Sequence, residues 1–247
     1  MSAPLHFSDL RNIGVSPAHY RHRLTHGIDV SDDMSAGTVC HLHVLGEQPG
    51  ARRIAVFEGR RQGKVWEAFA AEHAEDTIVT AAVWDIGRRM ADAVLDCPRA
   101  TDLLTGARFE VPIEWDAGGR VCRTRGVDWV SINTFGDLKT TRSANPRAFM
   151  RDAWHRHYHA QLEWYRQGLD ATMPGGREAY IIAVESSEPY PVVVYRMPPD
   201  VLELGARTLA RWLETLQRCE ENDHWPGYSE RVVEFEAPAW ATEVDDG

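Results

Sequence analysis

The chain comprises 247 residues, of which 43% are hydrophobic and 26% charged, and it carries a formal net charge of −10. This composition is typical of a globular protein with a substantial core, and because no apolar run approaches the roughly 20 residues of a membrane-spanning helix, no membrane partner is expected. The segment Met1–His6 has no basic region followed by an apolar one, which argues against a signal peptide, and four scattered cysteines without a CxxC pair favour free thiols in a cytoplasmic protein over a zinc or iron–sulfur site.

The N-terminal part of the sequence predicts mainly helices. Capping residues, prolines and the spacing of apolar side chains place four of them at about 17–24, 36–45, 62–73 and 81–95. Ser35 is the expected N-cap of the second helix and Thr80 that of the fourth, which ends before Pro98.

Alternation of apolar and polar residues then predicts strands. Three are expected at about 107–115, 120–132 and 135–140, with turn signals at Asp116–Gly119 and Asn133–Gly136 between them. Asn145 and Pro146 open one long helix that runs to about Leu169. The rest of the chain predicts two strands, a helix and one short tail strand at about 178–185, 191–197, 198–219 and 231–236.

This order of elements predicts an α/β core with helices before and after it. No linker rich in Pro, Gly and Ser interrupts the sequence, so we expect a single domain over residues 1–247. The domain would comprise a helical N-terminal part at about 1–104, a core at about 105–220 and an acidic C-terminal tail at about 221–247.

Two short apolar segments each deliver one carboxylate, Asp128 and Asp137, and Lys139 follows two residues after the second. Because side chains alternate along a strand, Asp137 and Lys139 point to the same face, and a paired strand could bring Asp128 beside them. Two acids and an ammonium at one sheet edge can hold a divalent cation, orient a water and neutralise an anion, as phosphodiester hydrolysis requires. An Asp-x-Lys sequence is also common on solvated edges, so alone it identifies no site.

The charges are unevenly distributed along the chain. Residues 120–166 contain nine basic and four acidic side chains, a net charge of +5, whereas residues 201–247 contain four basic and eleven acidic ones, a net charge of −7. The basic part could attract phosphate to the candidate site, but its arginines fit ordinary helix surfaces equally well. Lys139 and Lys64 are the only lysines beside 25 arginines, which hints that a compact charge matters at position 139.

With Asp128, Asp137 and Lys139 on strands that precede a helix, the chain resembles the PD-(D/E)XK nuclease superfamily. Further motifs resemble those of RecE-like exonucleases (exonuclease VIII type) of phages and prophages, at Gly37–His41, Glu110–Trp115, Cys122–Trp129 and Tyr158–Tyr165. The resemblance spans residues 37–165 and implies a restriction-endonuclease-like core, with a mixed central sheet flanked by helices. The second acid is an aspartate where the superfamily generally has glutamate, a form that RecE-like members commonly show.

The resemblance implies a metal site on the sheet. Asp128 and Asp137 would bind Mg²⁺, with Mn²⁺ as a substitute, and the Leu138 carbonyl would add a ligand. Lys139 would lie near the attacked phosphate, where it would assist the attacking water and balance the developing charge.

Glu110 and His41 are further candidates for the metal site. Glu114 competes with Glu110 because it lies four residues on, on the same strand face, and the spacing from Glu110 to Trp115 favours Glu110 by its match to the family. A lone histidine in an apolar helix is more commonly a core residue, and imidazole is an unusual Mg²⁺ ligand. The resemblance nevertheless implies that His41 binds the metal or lies beside it.

Gln161 and Tyr165 lie at i and i+4 on one face of a predicted helix, which Tyr158 shares. Such a row usually packs in a core, whereas the resemblance places Gln161 and Tyr165 against Lys139 and the phosphate backbone, and both interpretations stay open. Six cations are individually weak candidates for binding DNA phosphates: Arg142, Arg147, Arg151, Arg60, Arg61 and Lys64.

The function predicted from these residues and the resemblance is a Mg²⁺-dependent deoxyribonuclease. The resemblance implies a 5′–3′ exonuclease that acts on double-stranded DNA ends in homologous recombination, with a single-strand annealing recombinase as partner and a ring-shaped homo-oligomer around DNA. One alternative is a PD-(D/E)XK endonuclease of defence or repair. The other is a catalytically inert relative that only binds DNA or a partner, and the intact set of two aspartates and a lysine argues against it.

Overall fold

The computed structural model describes residues 4–26, 32–46 and 53–236, and for residues 32–35 it describes the backbone alone. The chain divides into two compact units, one of Met1–Phe7 with Ile28–Arg211 and one of Ser8–Gly27 with Trp212–Gly247. The larger unit contains the central sheet and all the candidate site residues. The expectation of one domain over the whole chain stays a prediction.

The described residues contain eight strands: β1 (Leu5–His6), β2 (Ile54–Phe57), β3 (Thr77–Thr80), β4 (Arg108–Asp116), β5 (Val121–Val130), β6 (Thr134–Thr141), β7 (Glu178–Glu185) and β8 (Val192–Met197). They also contain nine α-helices: α1 (Phe7–Leu10), α2 (Pro17–His26), α3 (Asp32–Leu45), α4 (Gly63–Glu72), α5 (Ala81–Leu95), α6 (Pro98–Leu104), α7 (Pro146–His155), α8 (Tyr158–Thr172) and α9 (Pro199–Asn222).

The central sheet has six strands and is mixed, as the restriction-endonuclease-like prediction requires. Strand β5 pairs with β4 and β6 in antiparallel fashion and with β1 in parallel. The order continues through β7, which is parallel to β6, to β8, which is antiparallel to β7. Strands β2 and β3 form a separate parallel pair.

A short turn joins β5 to β6. The Ser131 N–H donates to the Thr134 carbonyl at 2.8 Å, and the Thr134 N–H donates to Ser131 Oγ at 3.0 Å. The two strands then pair only at Val130–Phe135 and Trp129–Gly136 before they separate. The turn therefore fixes which residues of β5 and β6 stand opposite each other.

The sheet face that carries Leu138 packs against α3, α5 and α6. Its buried apolar cluster combines strand and helix residues, among them Trp129, Leu138, Ile182, Val184, Val39, Met90, Val94 and Ala100. Burial of these side chains supplies the hydrophobic free energy that holds this layer together. Because side chains alternate along β6, Asp137 and Lys139 lie on the opposite face.

That opposite face packs against α7 and α8. Trp164 in α8 contacts Trp115 in β4 with ring centroids 4.8 Å apart. Phe149 in α7 stacks on Tyr195 in β8 with centroids 4.6 Å apart. The sheet therefore lies between two helical layers. Asp137 and Lys139 lie on the face toward α7 and α8, where Lys139 contacts Tyr158 of α8.

In the smaller unit, α2 packs against the segment that follows α9. Tyr20 stacks on Trp225 with centroids 5.8 Å apart, and the Ala18 N–H donates to the Pro226 carbonyl at 3.1 Å. Arg21 and Asp223 form an exposed ion pair at 2.8 Å, which adds little to stability because both groups are solvated.

Most of the predicted elements of the core are confirmed to within a few residues. The Val83 N–H donates to Thr80 Oγ1 at 3.2 Å, which confirms Thr80 as the N-cap of α5. All four cysteines are free thiols, as expected. Across the described ranges, no helix combines the length and apolar character needed to cross a membrane.

The single long helix predicted from Asn145 to Leu169 is wrong, because α7 and α8 are separate helices. His157 between them adopts a left-handed conformation with φ of 59°. Its carbonyl accepts the N–H groups of Ala160 and Gln161, both at 3.0 Å, and so starts α8 in a new direction. The sequence around it contains neither glycine nor proline, which is why the break carries no recognisable signal.

Two other predictions also need correction, and two features of the structure were not predicted. Helix α3 begins at Asp32 rather than after an N-cap at Ser35, which lies inside the helix. Residues 231–236 form no strand, and Val232 and Phe235 are almost fully exposed there. The short strands β1, β2 and β3 were not predicted, because four residues or fewer give too little alternation to tell a strand from a helix. Pro98 also starts a helix, α6, besides ending the one before it.

Candidate active site

Asp128 and Asp137 face each other where β5 and β6 separate. The last backbone pair is Trp129 with Gly136, so the next residue on each strand is one of the two aspartates. In place of a backbone ladder bond, Asp128 Oδ2 accepts the N–H of Leu138 at 2.6 Å. Asp128 is 7% exposed and Asp137 3% exposed. The structure therefore brings the two predicted carboxylates together in one buried gap of the sheet.

Lys139 lies beside them on the same face. Its ammonium forms an ion pair with Asp137, and its Nζ lies 4.8 Å from the ring centroid of Tyr158. Burial lowers the pKa of Lys139, but the attraction of Asp137, Tyr158 and Asp128 outweighs this effect, so the pKa is raised overall and the ammonium stays charged. The site thus contains a permanent, oriented cation.

His41 from α3 and Glu110 from β4 approach Asp128 from two sides. One ligand atom from each of these three residues lies within 4.8 Å of the other two, and among the described residues this is the one such group of three. His41 Nδ1 is 3.7 Å from Asp128 Oδ2. Protein ligands lie about 2.0–2.6 Å from a divalent cation, so three atoms at this separation can share one ion after small side-chain shifts.

The donor set fits a divalent cation. The Asp128 and Glu110 carboxylates supply the hard oxygen ligands that Mg²⁺ and Mn²⁺ prefer, while a histidine nitrogen suits softer metals better. Burial lowers the pKa of His41, which favours the neutral imidazole that can act as a ligand. Asp137 lies beside this group rather than within it, because its carboxylate holds Lys139.

Gly37 explains how α3 reaches the site. A Cβ at this position would lie 2.9 Å from Thr140 Oγ1 in β6, so the absence of a side chain lets the helix pass close to the strand. His41 follows Gly37 by four residues and therefore lies on the same face of α3, toward β6. The spacing of these two residues in the predicted motif thus has a geometric cause.

Glu110 reaches the site through an unusual backbone conformation. It has a left-handed φ of 48°, which costs about 1 kcal/mol or more for a residue with a side chain. The β4–β5 register shifts between Val111 and Ile113, which marks a β-bulge beside Glu110. Gly126 leaves the space that Glu110 occupies. A Cβ at Gly126 would collide with Glu110 Oε2 and would lie 3.1 Å from the Glu110 backbone.

Replacing Gly126 with alanine is therefore expected to displace the Glu110 carboxylate. We expect metal-dependent DNA hydrolysis to fall by about 10- to 100-fold, the range typical of changes that misorient a metal ligand. The measurement is hydrolysis of linear DNA as a function of metal concentration. Gly176→Ala is the matched control, because a Cβ there meets nothing within 4 Å.

A double-mutant cycle tests whether Gly126 acts through Glu110. Glu110→Gln and Gly126→Ala should together cost little more than Glu110→Gln alone, because both changes remove the same carboxylate from the site. Losses that add fully would contradict this role for Gly126.

Glu114 does not enter the site. It forms an exposed ion pair with Arg123 on β5, with Glu114 Oε2 2.7 Å from Arg123 Nε. A strict alternation along β4 would place Glu110 and Glu114 on the same face, so that expectation is wrong. The β-bulge between Glu110 and Glu114 is the physical reason, because the strand changes face across it: Phe109 packs with the cluster around Leu138, whereas Ile113 and Trp115 lie against Gly168 of α8.

Burial and neighbouring carboxylates raise the pKa of Asp128 and of Glu110. Burial is the largest cause of the raised pKa of Asp128, followed by repulsion from Asp137, and Glu110 adds to it. Burial and the charge of Asp137 likewise raise the pKa of Glu110. Without a bound cation, the charged forms of Asp128 and Glu110 are therefore disfavoured.

Gln161 and Tyr165 lie together in α8. The Gln161 side-chain amide donates to the Tyr165 hydroxyl oxygen at 2.8 Å. Burial, together with the charges of Asp137 and Asp128, raises the pKa of Tyr165 well above its usual value, so its hydroxyl stays protonated near the carboxylates. The ring against Lys139 is that of Tyr158, one turn before Gln161. Sequence reasoning placed Tyr158 on this helix face without giving it a role.

The six cations predicted to bind DNA lie in two regions. Arg142, Arg147 and Arg151 are exposed residues at or just before α7. Arg60, Arg61 and Lys64 are exposed residues between β2 and the start of α4, where Arg61 donates to the Ile78 carbonyl at 2.9 Å and lies over the Trp66 ring. The first group is close in the chain to Lys139, and the contacts of the second group lie beside the two-stranded sheet.

Comparison with known proteins relates most of the chain to one family. A sequence model of the family described as a PDDEXK-like domain of unknown function (DUF3799) matches residues 6–237. A crystal structure of a protein from Eubacterium rectale, named there only as a candidate exonuclease, is similar over 98% of this chain and 93% of the other, with 10% identity and a TM-score of 0.67. The crystal structure of SSO0001 is similar over 77% of this chain and 87% of the other, with 14% identity and a TM-score of 0.32.

No curated protein matches the sequence. At 10% identity, the Eubacterium rectale structure bears on the fold alone, and it agrees with the restriction-endonuclease-like prediction.

Proposed function

Because the chain belongs to the family of PDDEXK-like domains (DUF3799), we propose that it is a metal-dependent deoxyribonuclease that hydrolyses phosphodiester bonds. The observation that supports this most directly is the convergence of Asp128, Asp137 and Lys139 at the separation of β5 and β6, with Glu110 and His41 beside them. A structural ion pair would explain Asp137 and Lys139, but not the three further metal-ligand side chains aimed at the same gap.

In the proposed site, Asp128, Glu110 and His41 would hold a divalent cation, Mg²⁺ by preference and Mn²⁺ as a substitute, with Asp137 adjacent. Such a cation lowers the pKa of a water and polarises a phosphoryl oxygen. Glu110 would bind this cation only in its left-handed backbone conformation, which needs the space left by the missing side chain of Gly126. The Leu138 carbonyl stays a predicted additional ligand.

Lys139 would stabilise the negative charge that develops on the attacked phosphate. Asp137 holds the ammonium on one side and the Tyr158 ring lies on another, so the cation is oriented before DNA arrives. Tyr165, which remains protonated, would offer a hydroxyl to an anionic oxygen, and Gln161 would fix that hydroxyl in place. Arg142, Arg147 and Arg151 would bind flanking phosphates.

We further propose that the enzyme is a RecE-like 5′–3′ exonuclease on double-stranded DNA ends, with a role in recombination beside a single-strand annealing recombinase. The order of motifs from Gly37 to Tyr165 supports this class. A ring-shaped homo-oligomer belongs to the same proposal. The alternatives are an endonuclease of defence or repair and an inert DNA-binding relative, which share the fold.

The experiment compares two DNA substrates with the purified protein. One is a linear duplex labelled at one 5′ end, and the other is a covalently closed circle. We expect Mg²⁺ or Mn²⁺ to support release of the 5′ label from the linear duplex, whereas the circle stays intact and EDTA abolishes all hydrolysis.

Each other result identifies an alternative. Nicking of the closed circle would identify an endonuclease. Release of the 5′ label only after most of the strand is degraded would show that the enzyme digests in the 3′–5′ direction. Absence of hydrolysis with every divalent cation tested, in a protein that still binds DNA, would identify an inert relative.

A further inference from the structure

A cavity of about 400 Å³ lies beside the candidate active site and has no part in the chemistry described above. It is bounded by α7, the start of α8, strands β7 and β8 and the first turn of α9, all within the larger unit. Its lining is mostly apolar and aromatic and includes Phe149, Met150, Trp154, His159, Tyr195 and Met197.

Two of these side chains are unusually accessible for their type. Met150 is 57% exposed and Trp154 49% exposed. The Trp154 ring is nevertheless held in place, because it stacks on buried His159 with centroids 4.2 Å apart and planes 11° apart. A fixed aromatic ring with its other side open is suited to stacking against another flat ring.

The cavity adjoins the phosphate site. Ile181 lines it and is the backbone partner of Asp137 in the β6–β7 ladder. From Lys139 Nζ the distance to the Tyr158 ring centroid is 4.8 Å, and from that ring to Phe149 in the cavity wall it is 6.3 Å. A strand whose phosphate lies at Lys139 could therefore reach the cavity within a few nucleotides.

Cations alternate with the apolar side chains on the exposed side of α7. Arg147 precedes Met150 by three residues and Arg151 precedes Trp154 by three, so the four side chains share one helix face. Asp152 is the one acidic residue of α7. Positive charges beside a stacking ring are complementary to a chain with phosphates and flat bases, whereas a basic or a purely apolar protein surface would not match the charges.

We propose that this cavity binds an unpaired base of single-stranded DNA, with Trp154 as the stacking platform and Arg147 and Arg151 on the adjacent phosphates. Bases within a duplex are already stacked on each other, so the cavity can take a base only from a strand that has left the duplex. The site would hold the strand next to the scissile phosphate once its end is separated. This inference rests on the proposed function, because it supposes that the strand continues to Lys139.

The test measures binding of a fluorescent oligothymidylate of about ten nucleotides, by anisotropy, in EDTA so that hydrolysis plays no part. We expect Trp154→Ala to weaken binding by about 5- to 100-fold, the effect of losing one stacked base, and Trp154→Phe to restore most of the affinity. Met150→Glu, which adds a carboxylate at the cavity mouth, should weaken binding in the same way. Tyr228→Ala is the control, because Tyr228 is 80% exposed and does not line the cavity.

Unchanged oligonucleotide affinity in both Trp154→Ala and Met150→Glu, with thermal melts like that of the native protein, would overturn the proposal. A change of oligomeric state in these variants with unchanged DNA affinity would also overturn it and assign the surface to protein contacts. If the protein hydrolyses DNA but both Trp154→Ala and Met150→Glu bind the oligonucleotide normally, this inference alone fails. If it hydrolyses nothing while Trp154→Ala loses binding, the nuclease proposal fails and the binding site stands.

Discussion

Replacing Lys139 with alanine is expected to reduce DNA hydrolysis by about 10²- to 10³-fold or more at saturating metal and DNA. The change removes the one ammonium held between Asp137 and the Tyr158 ring, and with it the charge that would stabilise the attacked phosphate. Lys139→Arg should also be poorly active, because the larger planar guanidinium does not replace a compact charge in a buried gap. The measurement is kcat on a linear duplex with Mg²⁺.

The chain offers a matched control in its only other lysine. Lys64 is exposed in α4, and Lys64→Ala should leave kcat unchanged and alter at most the apparent KM for DNA. A far-ultraviolet circular dichroism spectrum like that of the native protein would show that the Lys139 variants are folded. Full activity of folded Lys139→Ala would remove the basis of the site assignment.

Replacing Asp128 with asparagine is expected to abolish hydrolysis and, at the same time, to stabilise the metal-free protein. In the absence of a cation, burial and the nearby Asp137 and Glu110 disfavour the charged form of Asp128, as its raised pKa shows. Asparagine keeps an oxygen that can accept the Leu138 N–H but carries no charge. Removing about 1–2 kcal/mol of repulsion would raise the Tm in EDTA by roughly 2–8 °C for a chain of this size.

Mg²⁺ or Mn²⁺ should change the difference in Tm between the native protein and Asp128→Asn. A cation that binds only the folded state raises the Tm of the native protein, and the rise should be smaller in Asp128→Asn because one ligand carries less charge. Glu114→Gln removes a carboxylate from a half-exposed ion pair and should leave both the Tm and the metal response nearly unchanged. A lower Tm for Asp128→Asn in EDTA, or an undiminished rise with metal, would contradict the proposed cation site.

The core strands could be predicted because their alternation is long enough to detect. The stretch from Arg108 to Thr141 contains three strands of eight to ten residues, separated by glycine-rich or polar turns. Period-two reasoning correctly placed Asp137 and Lys139 on one face. The four-residue strands β2 and β3 offered no comparable pattern, and their pairing depends on contacts between distant parts of the chain.

The remaining differences come from single backbone conformations that no periodicity encodes. A β-bulge next to the left-handed φ of Glu110 separates Glu110 from Glu114, and a left-handed φ at His157 separates α7 from α8. Positive φ is uncommon for any residue other than glycine, so neither position is marked in the sequence. The placement of Glu110 was expected only from the family resemblance, and the physical reason became visible with Gly126 in the structure.

The turn between β5 and β6 has a consequence for how this chain can change in evolution. Hydrogen bonds between Ser131 and Thr134 fix the length of this connection. Asp128 and Asp137 stand opposite each other because each lies a set number of residues from it. An insertion or deletion of one residue there that shifted β6 along β5 would turn Asp137 and Lys139 to the face covered by α3 and α5, burying their charges among apolar side chains. Loops elsewhere can tolerate length variation, but among related sequences we expect this connection to be free of gaps, although none of its own residues takes part in the chemistry.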